Sequence, residues 1–218
     1  MGSAVSSAAR RDVRSDIMDA AERVFAGLGF DGATTRAIAD EAKVNLGLIH
    51  YHFNSKEALF EQVVARRTAQ VNGRRHDLLA GLLGDPKTAT LESILDALMR
   101  PTIELSNEHG DAGQHYSRII VQIASGTDDR SIQLTAENFN PIALEFIDAL
   151  ESHVPDLGRE NAVWAYMNAI SVGLFMIART GRVAQLSDGL CDEGETEEAI
   201  ARVVRYLAAG TRALVAPG

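Results

Sequence analysis

Three helical segments follow one another near the N-terminus, only turns of a few residues separate them, and a fourth helix begins directly after them. Apolar side chains recur at helical spacing over about Arg11–Leu28, and Gly29 is placed to end that segment. A second helix is predicted after Thr34, Asn45 is suited to cap a third, and Ser55 opens a fourth. Because the turns are so short, the sequence predicts a small, tightly packed helical domain here.

The rest of the chain is also predicted to be helical. No segment alternates apolar and polar residues between hairpin turns, as a half-buried strand does. Pro101 ends or kinks a helix that begins near Thr90, and Pro141 occupies the first turn of a helix that follows a loop at Gly126–Arg130. The sequence therefore predicts an all-α fold, which two strong helices close at Arg159–Thr180 and about Thr196–Ala209.

Charge divides the chain into two unequal parts. The net charge is −9, but residues 1–75 hold 11 Lys and Arg against 9 Asp and Glu, a balance of +2, which leaves −11 for residues 76–218. This asymmetry suits a DNA-binding head on an acidic body. We expect a disordered lead-in at residues 1–10, a head at residues 11–66 and a larger helical domain at residues 67–218.

Secretion, disulfide bonding and membrane insertion find little support. The single cysteine, Cys191, has no partner for a disulfide or a zinc cluster, which favours the cytoplasm. Residues 1–10 lack the apolar core of a secretory signal. Asn161–Ala178 is uncharged and near the lower length limit for a membrane span, roughly 17–25 residues. Asn168 and Ser171 interrupt it, so we expect a helix buried on nearly all sides, as at a subunit interface, and no membrane partner.

The most informative segment runs from Thr34 to Leu59. It resembles the TetR family of regulators, whose helix-turn-helix pattern it matches in register, and the resemblance extends over about Arg11–Val64. The matching residues are Thr34, Ile38, Ala39, Ala42, Val44, Gly47, Ile49, His52, Phe53, Ser55, Lys56, Glu57 and Leu59. The resemblance implies a homodimer that binds operator DNA, and a C-terminal domain whose small-molecule effector relieves repression.

A recognition helix that enters the major groove must be short, amphipathic and anchored by one face. Leu48, Ile49 and Phe53 are expected to anchor it inward. Hydroxyls, cations and helix N-termini around it are suited to hold phosphates. The residues expected to contact DNA are Thr34, Thr35, Arg36, Lys43, Asn45, Leu46, Gly47, His50, Tyr51 and Lys56.

Several of these positions allow a second interpretation. Gly47 permits close approach to DNA, but it is also suited to helix packing. His50 and His52 point about 200° apart on a helix, so they cannot chelate one metal ion together. Lys43 stands where the family usually has glycine, and we expect a steric cost there that a phosphate contact offsets. Because Leu46 and His50 also depart from the family pattern, the operator sequence cannot be transferred from relatives.

The final two helices carry more apolar side chains than a small body can cover, and a four-helix seam between two subunits would bury them. An ordinary core explains part of the same pattern. The residues expected at the dimer interface are Val163, Ile170, Leu174, Ile177, Ile200, Val203, Val204 and Leu207.

An effector pocket is predicted where polar and aromatic residues interrupt apolar helices, because such pockets combine an apolar lining with a few orienting polar groups. Core packing is the alternative for each residue. The candidates are Tyr116, Gln122, Phe139, Phe146, Trp164, Met167, Asn168, Ser171 and Phe175.

The sequence favours a ligand-responsive DNA-binding repressor with a small, largely apolar effector, and no cofactor or metal. A ligand-independent DNA-binding factor or an activator remains an alternative. An enzyme finds little support, because the sequence shows no nucleophile–base constellation, phosphate-binding loop or metal-ligand spacing.

Overall fold

The computed structural model describes residues 12–85, 87, 89–107, 111–191 and 196–215. No strand occurs within those ranges, so the predicted all-α fold is confirmed. The chain divides into two compact units with a boundary between Val63 and Val64. The predicted disordered lead-in at residues 1–10 lies outside the described residues. The helices are α1 (Val13–Gly32), α2 (Thr35–Ala42), α3 (Leu46–Phe53), α4 (Lys56–Leu83), α5 (Leu91–Asn107), α6 (Asp111–Ser125), α7 (Asp129–His153), α8 (Gly158–Ala178), α9 (Arg182–Leu186) and α10 (Thr196–Ala213).

Side-chain caps set the helix starts of the N-terminal unit. Thr34 Oγ1 accepts from the N–H of Ala37 at 3.1 Å, and Asn45 Oδ1 accepts from the N–H of Gly47 at 2.8 Å. Ser55 Oγ accepts from the backbone three residues ahead, at the start of α4. Gly29 leaves the helical conformation with φ +70°, a left-handed value that suits glycine. The predicted helix starts are thus confirmed by the hydrogen bonds that such caps make.

The N-terminal unit has an aromatic and aliphatic core. Phe25 packs edge-on against Phe60 with ring centroids 4.8 Å apart, and Phe30 lies against both rings. Ile38 of α2 and Ile49 of α3 are fully buried. Because each short helix contributes a buried side chain, the two helices of the turn are held rigidly.

The C-terminal unit has one large core built from α5, α7, α8 and α10, and α6 packs on α7 and α8. Two expectations for this unit are corrected. Helix α7 begins at Asp129, where Asp128 caps it, rather than at Pro141, and the predicted loop at Gly126–Arg130 ends at Asp128. Helix α5 continues through Pro101 to Asn107. A proline removes one helical hydrogen bond, and the burial of apolar side chains on both sides of it outweighs that loss.

Two side chains of α4 bind next to these prolines. Asn72 Nδ2 donates to the carbonyl of Asn138 at 2.7 Å, and Arg75 Nε donates to the carbonyl of Leu98 at 2.9 Å. Each of those carbonyls lies three residues before a proline, Pro141 or Pro101. Since a proline disturbs the preceding turn of a helix, these side chains satisfy backbone groups where the ladder is weakened.

Among the described helices, α8 is long and apolar enough by composition to span a membrane, with a mean hydropathy of 1.4 over 18 residues. Its small residues Ala162, Ala165 and Ala169 are buried against the body. Only 33% of that window is buried in the single chain, so the helix is not buried on nearly all sides as expected, because one of its faces lies open.

Candidate nucleic-acid interface and effector cavity

The candidate recognition helix α3 presents one face to solvent. Leu46, Gly47, His50 and Tyr51 are exposed, and Tyr51 has 80% of its surface accessible. Ile49 and Phe53 are each 1% exposed and anchor the opposite face. The helix therefore offers a short row of side chains of the size and chemistry that major-groove contacts use.

Leu48 corrects the expected inward anchor. It is 36% exposed, because the buried face of α3 is narrow and consists of Ile49 and Phe53. A leucine at this position is available for apolar contact with thymine methyl groups. Sequence reasoning assigned it to the core because it is apolar and adjacent to Ile49.

Gly47 is exposed, so it does not pack against another helix. A Cβ atom at this position would meet only Asn45 Oδ1, at 3.3 Å. The helix-packing interpretation of Gly47 therefore finds no support, and the glycine instead leaves room for the cap of α3 and for an approaching partner.

Lys43 occupies the turn between α2 and α3 in the left-handed region, with φ +57° and ψ +44°. Its backbone N–H donates to the carbonyl of Asp40 at 3.2 Å, which closes the end of α2. Its side chain is exposed. The steric cost expected for a non-glycine residue at this turn is thus present, and the cation is free to extend toward solvent.

Lys56 is held more firmly than a surface cation. Its Nζ donates to the carbonyls of Phe30 and Ala33 at 2.9 and 3.0 Å, and it lies 4.2 Å from the centroid of the Phe30 ring. An ammonium group has three donors, and two are used here. Lys56 therefore ties the end of α1 to the start of α4, and its phosphate contact stays a prediction for the third donor.

Charge and hydroxyl groups around α3 favour an anion. No Asp or Glu occurs between Lys43 and Lys56, so the segment that contains α3 has no carboxylate to repel a phosphate. Arg36 is exposed, and Thr34 and Thr35 lie at the start of α2. Within the described residues, no cluster of three or more His, Cys, Asp or Glu side chains is arranged to hold a metal ion.

Arg14 is a residue that the sequence analysis missed. Its guanidinium lies 5.4 Å from the centroid of the Phe53 ring, at the end of α3, and it hydrogen-bonds to Gln62. The only sequence signal was an arginine one residue into α1, which does not reveal a contact with a ring 39 positions away. Arg14 is exposed and adds a cation beside the recognition helix.

The C-terminal unit encloses a cavity of about 200 Å³. A single water needs only about 10–15 Å³ of such space, so a small organic molecule fits. Most of its wall is apolar, with Met99, Ile103, Ile120 and Leu174 among the lining residues. Arg75 is the only charged side chain among the described residues that line it.

The structure separates the nine predicted pocket residues into two groups. Tyr116, Phe139, Met167 and Ser171 line the cavity. Phe146 is fully buried in the core, where it has no access to the cavity, and the others face solvent. The residues that do not line it are Gln122, Phe146, Trp164, Asn168 and Phe175. Helical spacing does not reveal which apolar side chains face a cavity and which face the core or solvent.

The predicted dimer residues are largely core residues of a single chain. Five of them are at most 7% exposed and belong to one core cluster, namely Ile177, Ile200, Val203, Val204 and Leu207. Ile170 and Leu174 line the cavity, and only Val163 is exposed. Gly173 of α8 faces Met99, whose Cε would lie 2.8 Å from an added Cβ. The seven assignments other than Val163 are corrected, because these side chains lie in the core or in the cavity wall of the single chain.

A different apolar face remains open on α8. Val163, Trp164, Met167 and Phe175 are exposed, and Trp164 has 59% of its surface accessible. Their positions lie within less than half of the helix circumference. On α10, Tyr206 is exposed beside small residues. Large apolar side chains gathered on one face are typical of a protein–protein contact.

Family comparisons match both units. Residues 17–63 match a family described as bacterial regulatory proteins, tetR family, and residues 96–210 match one described as tetracyclin repressor-like, C-terminal domain. The biofilm operon icaADBC negative transcriptional regulator IcaR of Staphylococcus aureus is 24% identical over 151 residues, which cover 63% of this chain and 81% of that regulator.

Solved structures share the fold. A TetR-family transcriptional regulator from Bordetella parapertussis superposes with a TM-score of 0.67 at 18% identity, covering 90% of this chain and 94% of that one. The regulator FadR from Bacillus subtilis, in complex with stearoyl-CoA, gives 0.62 at 16% identity and covers 90% and 98%. At these identities the likeness concerns the fold alone.

Proposed function

The chain belongs to the TetR family of bacterial regulatory proteins, and we propose that it is a cytoplasmic repressor that binds a palindromic operator as a homodimer and releases it when a small molecule fills the C-terminal cavity. The exposed face of α3, which carries no acidic side chain, is the observation that carries the DNA-binding part. The relative IcaR is named as a negative regulator, which supports repression.

The proposed homodimer uses the open face of α8 with the adjoining face of α10. Two copies bring two recognition helices to one duplex, and half-sites one helical turn apart require a separation of about 34–36 Å. A twofold symmetric dimer reads a palindrome, because each head contacts an equivalent half-site.

The proposed release is a shift between two conformations of the dimer. An effector that binds more tightly to the conformation with low operator affinity lowers DNA binding by that difference in affinity. The cavity supports this part, because it is large enough for an organic molecule and mostly apolar. FadR, a structural neighbour, holds stearoyl-CoA, which shows that this fold accommodates a lipophilic ligand in that protein.

The deciding experiment compares duplexes at one salt concentration. Fluorescence anisotropy of the purified protein with a palindrome from its own promoter region, and with a scrambled duplex of equal composition, measures selectivity. We expect tighter binding to the palindrome by at least tenfold, and equal affinities would exclude an operator-reading function.

Variants of Tyr51 and Arg36 distinguish the contribution of base reading from that of phosphate binding. Replacing Tyr51 with Ala removes an exposed side chain of α3 and should change the ranking of operator variants. The exposed Arg36, changed to Ala, should weaken binding to all duplexes and reduce its dependence on salt. If both variants alter the ranking equally, the division of roles is wrong.

A further inference from the structure

Arg75 is a buried cation without a counter-ion in the described part of the chain. Arg75 is only 5% exposed, and no described carboxylate forms an ion pair with it. Its neighbours Arg74 and Arg100 do pair with carboxylates, with Glu104 and Asp96 respectively. A buried charge is costly unless a partner of opposite charge accompanies it.

The guanidinium is oriented by three neutral acceptors. Nε donates to the Leu98 carbonyl at 2.9 Å, one terminal nitrogen to Thr102 Oγ1 at 2.8 Å, and the other to Asn72 Oδ1 at 3.3 Å. Of five N–H groups, one on each terminal nitrogen is left without a partner among the described residues. Two N–H groups on the terminal nitrogens of one guanidinium match the two oxygens of a carboxylate or phosphate.

The surroundings of Arg75 complete a site for an amphipathic molecule. Tyr116 and Tyr166 line the same cavity, and burial raises the pKa of Tyr166, so its hydroxyl stays protonated and able to donate. Burial also lowers the pKa of Arg75, although a guanidinium remains charged at neutral pH. Most of the other lining residues are apolar, and Ile120 and Ile177 are among them.

We propose that the effector is an organic oxyanion, a carboxylate or phosphate on an apolar body, and that Arg75 binds the oxyanion inside the cavity. The proposal rests on the effector-released function above and changes the class of ligand from largely apolar to amphipathic and anionic. Arg75 lies on α4, the helix that begins at Lys56 in the N-terminal unit.

The test uses probes that differ only in the head group. Isothermal titration calorimetry with octanoate, octyl phosphate and 1-octanol, and with 4-phenylbutyrate and 4-phenyl-1-butanol, compares charged with neutral forms on the full chain. We expect at least one oxyanion to bind tenfold or more tightly than the matching alcohol. Octanoate against octyl phosphate then identifies which oxyanion the site prefers.

Variants assign the preference to Arg75. In Arg75→Gln, which keeps a side-chain donor and removes the charge, the preference for the oxyanion should fall below threefold while the alcohol binds as before. Arg74→Gln removes a neighbouring charge that does not line the cavity, and it should keep the wild-type preference. If Arg75→Gln does not fold, Arg75→Lys retains the charge without the paired donors and should lose part of the preference.

Two results would overturn the proposal. One is that wild-type protein binds no oxyanion of the panel, or binds each no better than its alcohol. The other is that the preference survives in Arg75→Gln. Operator selectivity is measured separately by anisotropy, so a failed oxyanion site with intact operator binding refutes this inference alone, whereas oxyanion binding without operator selectivity refutes the proposed function.

Discussion

At Lys43, the residue that would stabilise the turn best differs from the residue that we expect to bind DNA best. It has a left-handed backbone at the turn of the helix-turn-helix, where a Cβ atom is unfavourable. The sequence predicted the cost, because the family pattern has glycine there, but only the structure gives the backbone angle that causes it.

Replacing Lys43 with Gly should stabilise the free protein by about 1 kcal/mol, because the left-handed strain is relieved. If the ammonium binds a phosphate, the same change should weaken operator binding. Thermal melting and anisotropy measure the two effects. Lys43→Ala is the control, since it keeps the strain and loses only the charge. A Lys43→Gly protein less stable than wild type would contradict the assignment.

Lys56 should matter to folding as well as to DNA. Changing it to Met removes two hydrogen bonds to α1 carbonyls and the contact with the Phe30 ring. We expect a loss of about 1–3 kcal/mol in unfolding free energy, measured by chemical denaturation. A variant with unchanged stability but weaker DNA binding would mean that Lys56 acts only on phosphate.

At the scale of elements, the helix starts of the N-terminal unit were more predictable than the start of α7 and the effects of the two prolines. Thr34, Asn45 and Ser55 cap their helices as their chemistry indicated. Pro101 and Pro141 lie inside helices, because tertiary packing offsets the hydrogen bond that each removes. That packing depends on α4, whose side chains reach both helices from more than twenty positions away.

Replacing two glycines with alanine should change the melting temperature in opposite directions. In Gly173→Ala, the new Cβ atom would lie 2.8 Å from Met99 Cε. Because that contact is too close, the variant should have a lower melting temperature. In Gly81→Ala, on α4, the new Cβ meets nothing within 4 Å, so the variant should melt higher through better helix propensity. A Gly173→Ala protein that melts like wild type would show that Met99 moves aside at no cost.

At the scale of the whole molecule, the open face of α8 gives a test of the homodimer. The variant Trp164→Glu should be a folded monomer. Position 164 is exposed in the single chain, so the charge is tolerated there, but the proposed dimer would bury it without a partner. Size-exclusion chromatography with light scattering measures the mass. Val203→Glu should instead unfold the body, since Val203 is in its core.

Leu28→Glu serves as the matched control for that experiment. Leu28 is an exposed leucine of α1, so its charge should leave both the fold and the mass unchanged. A dimer that persists in Trp164→Glu and in Phe175→Glu would show that the subunits associate through another surface.

The sequence by itself determined the all-α class, the capped helices of the head and, except for Leu48, the exposed face of α3. Those features depend on local spacing and on side chains that bond to their own backbone. Only the tertiary structure decided which apolar residues of α8 and α10 lie in the core and which remain open. It also decided that Arg75 lies at the cavity with no counter-ion among the described residues. These outcomes depend on which helices cover one another, and one helix's periodicity carries no information about its neighbours.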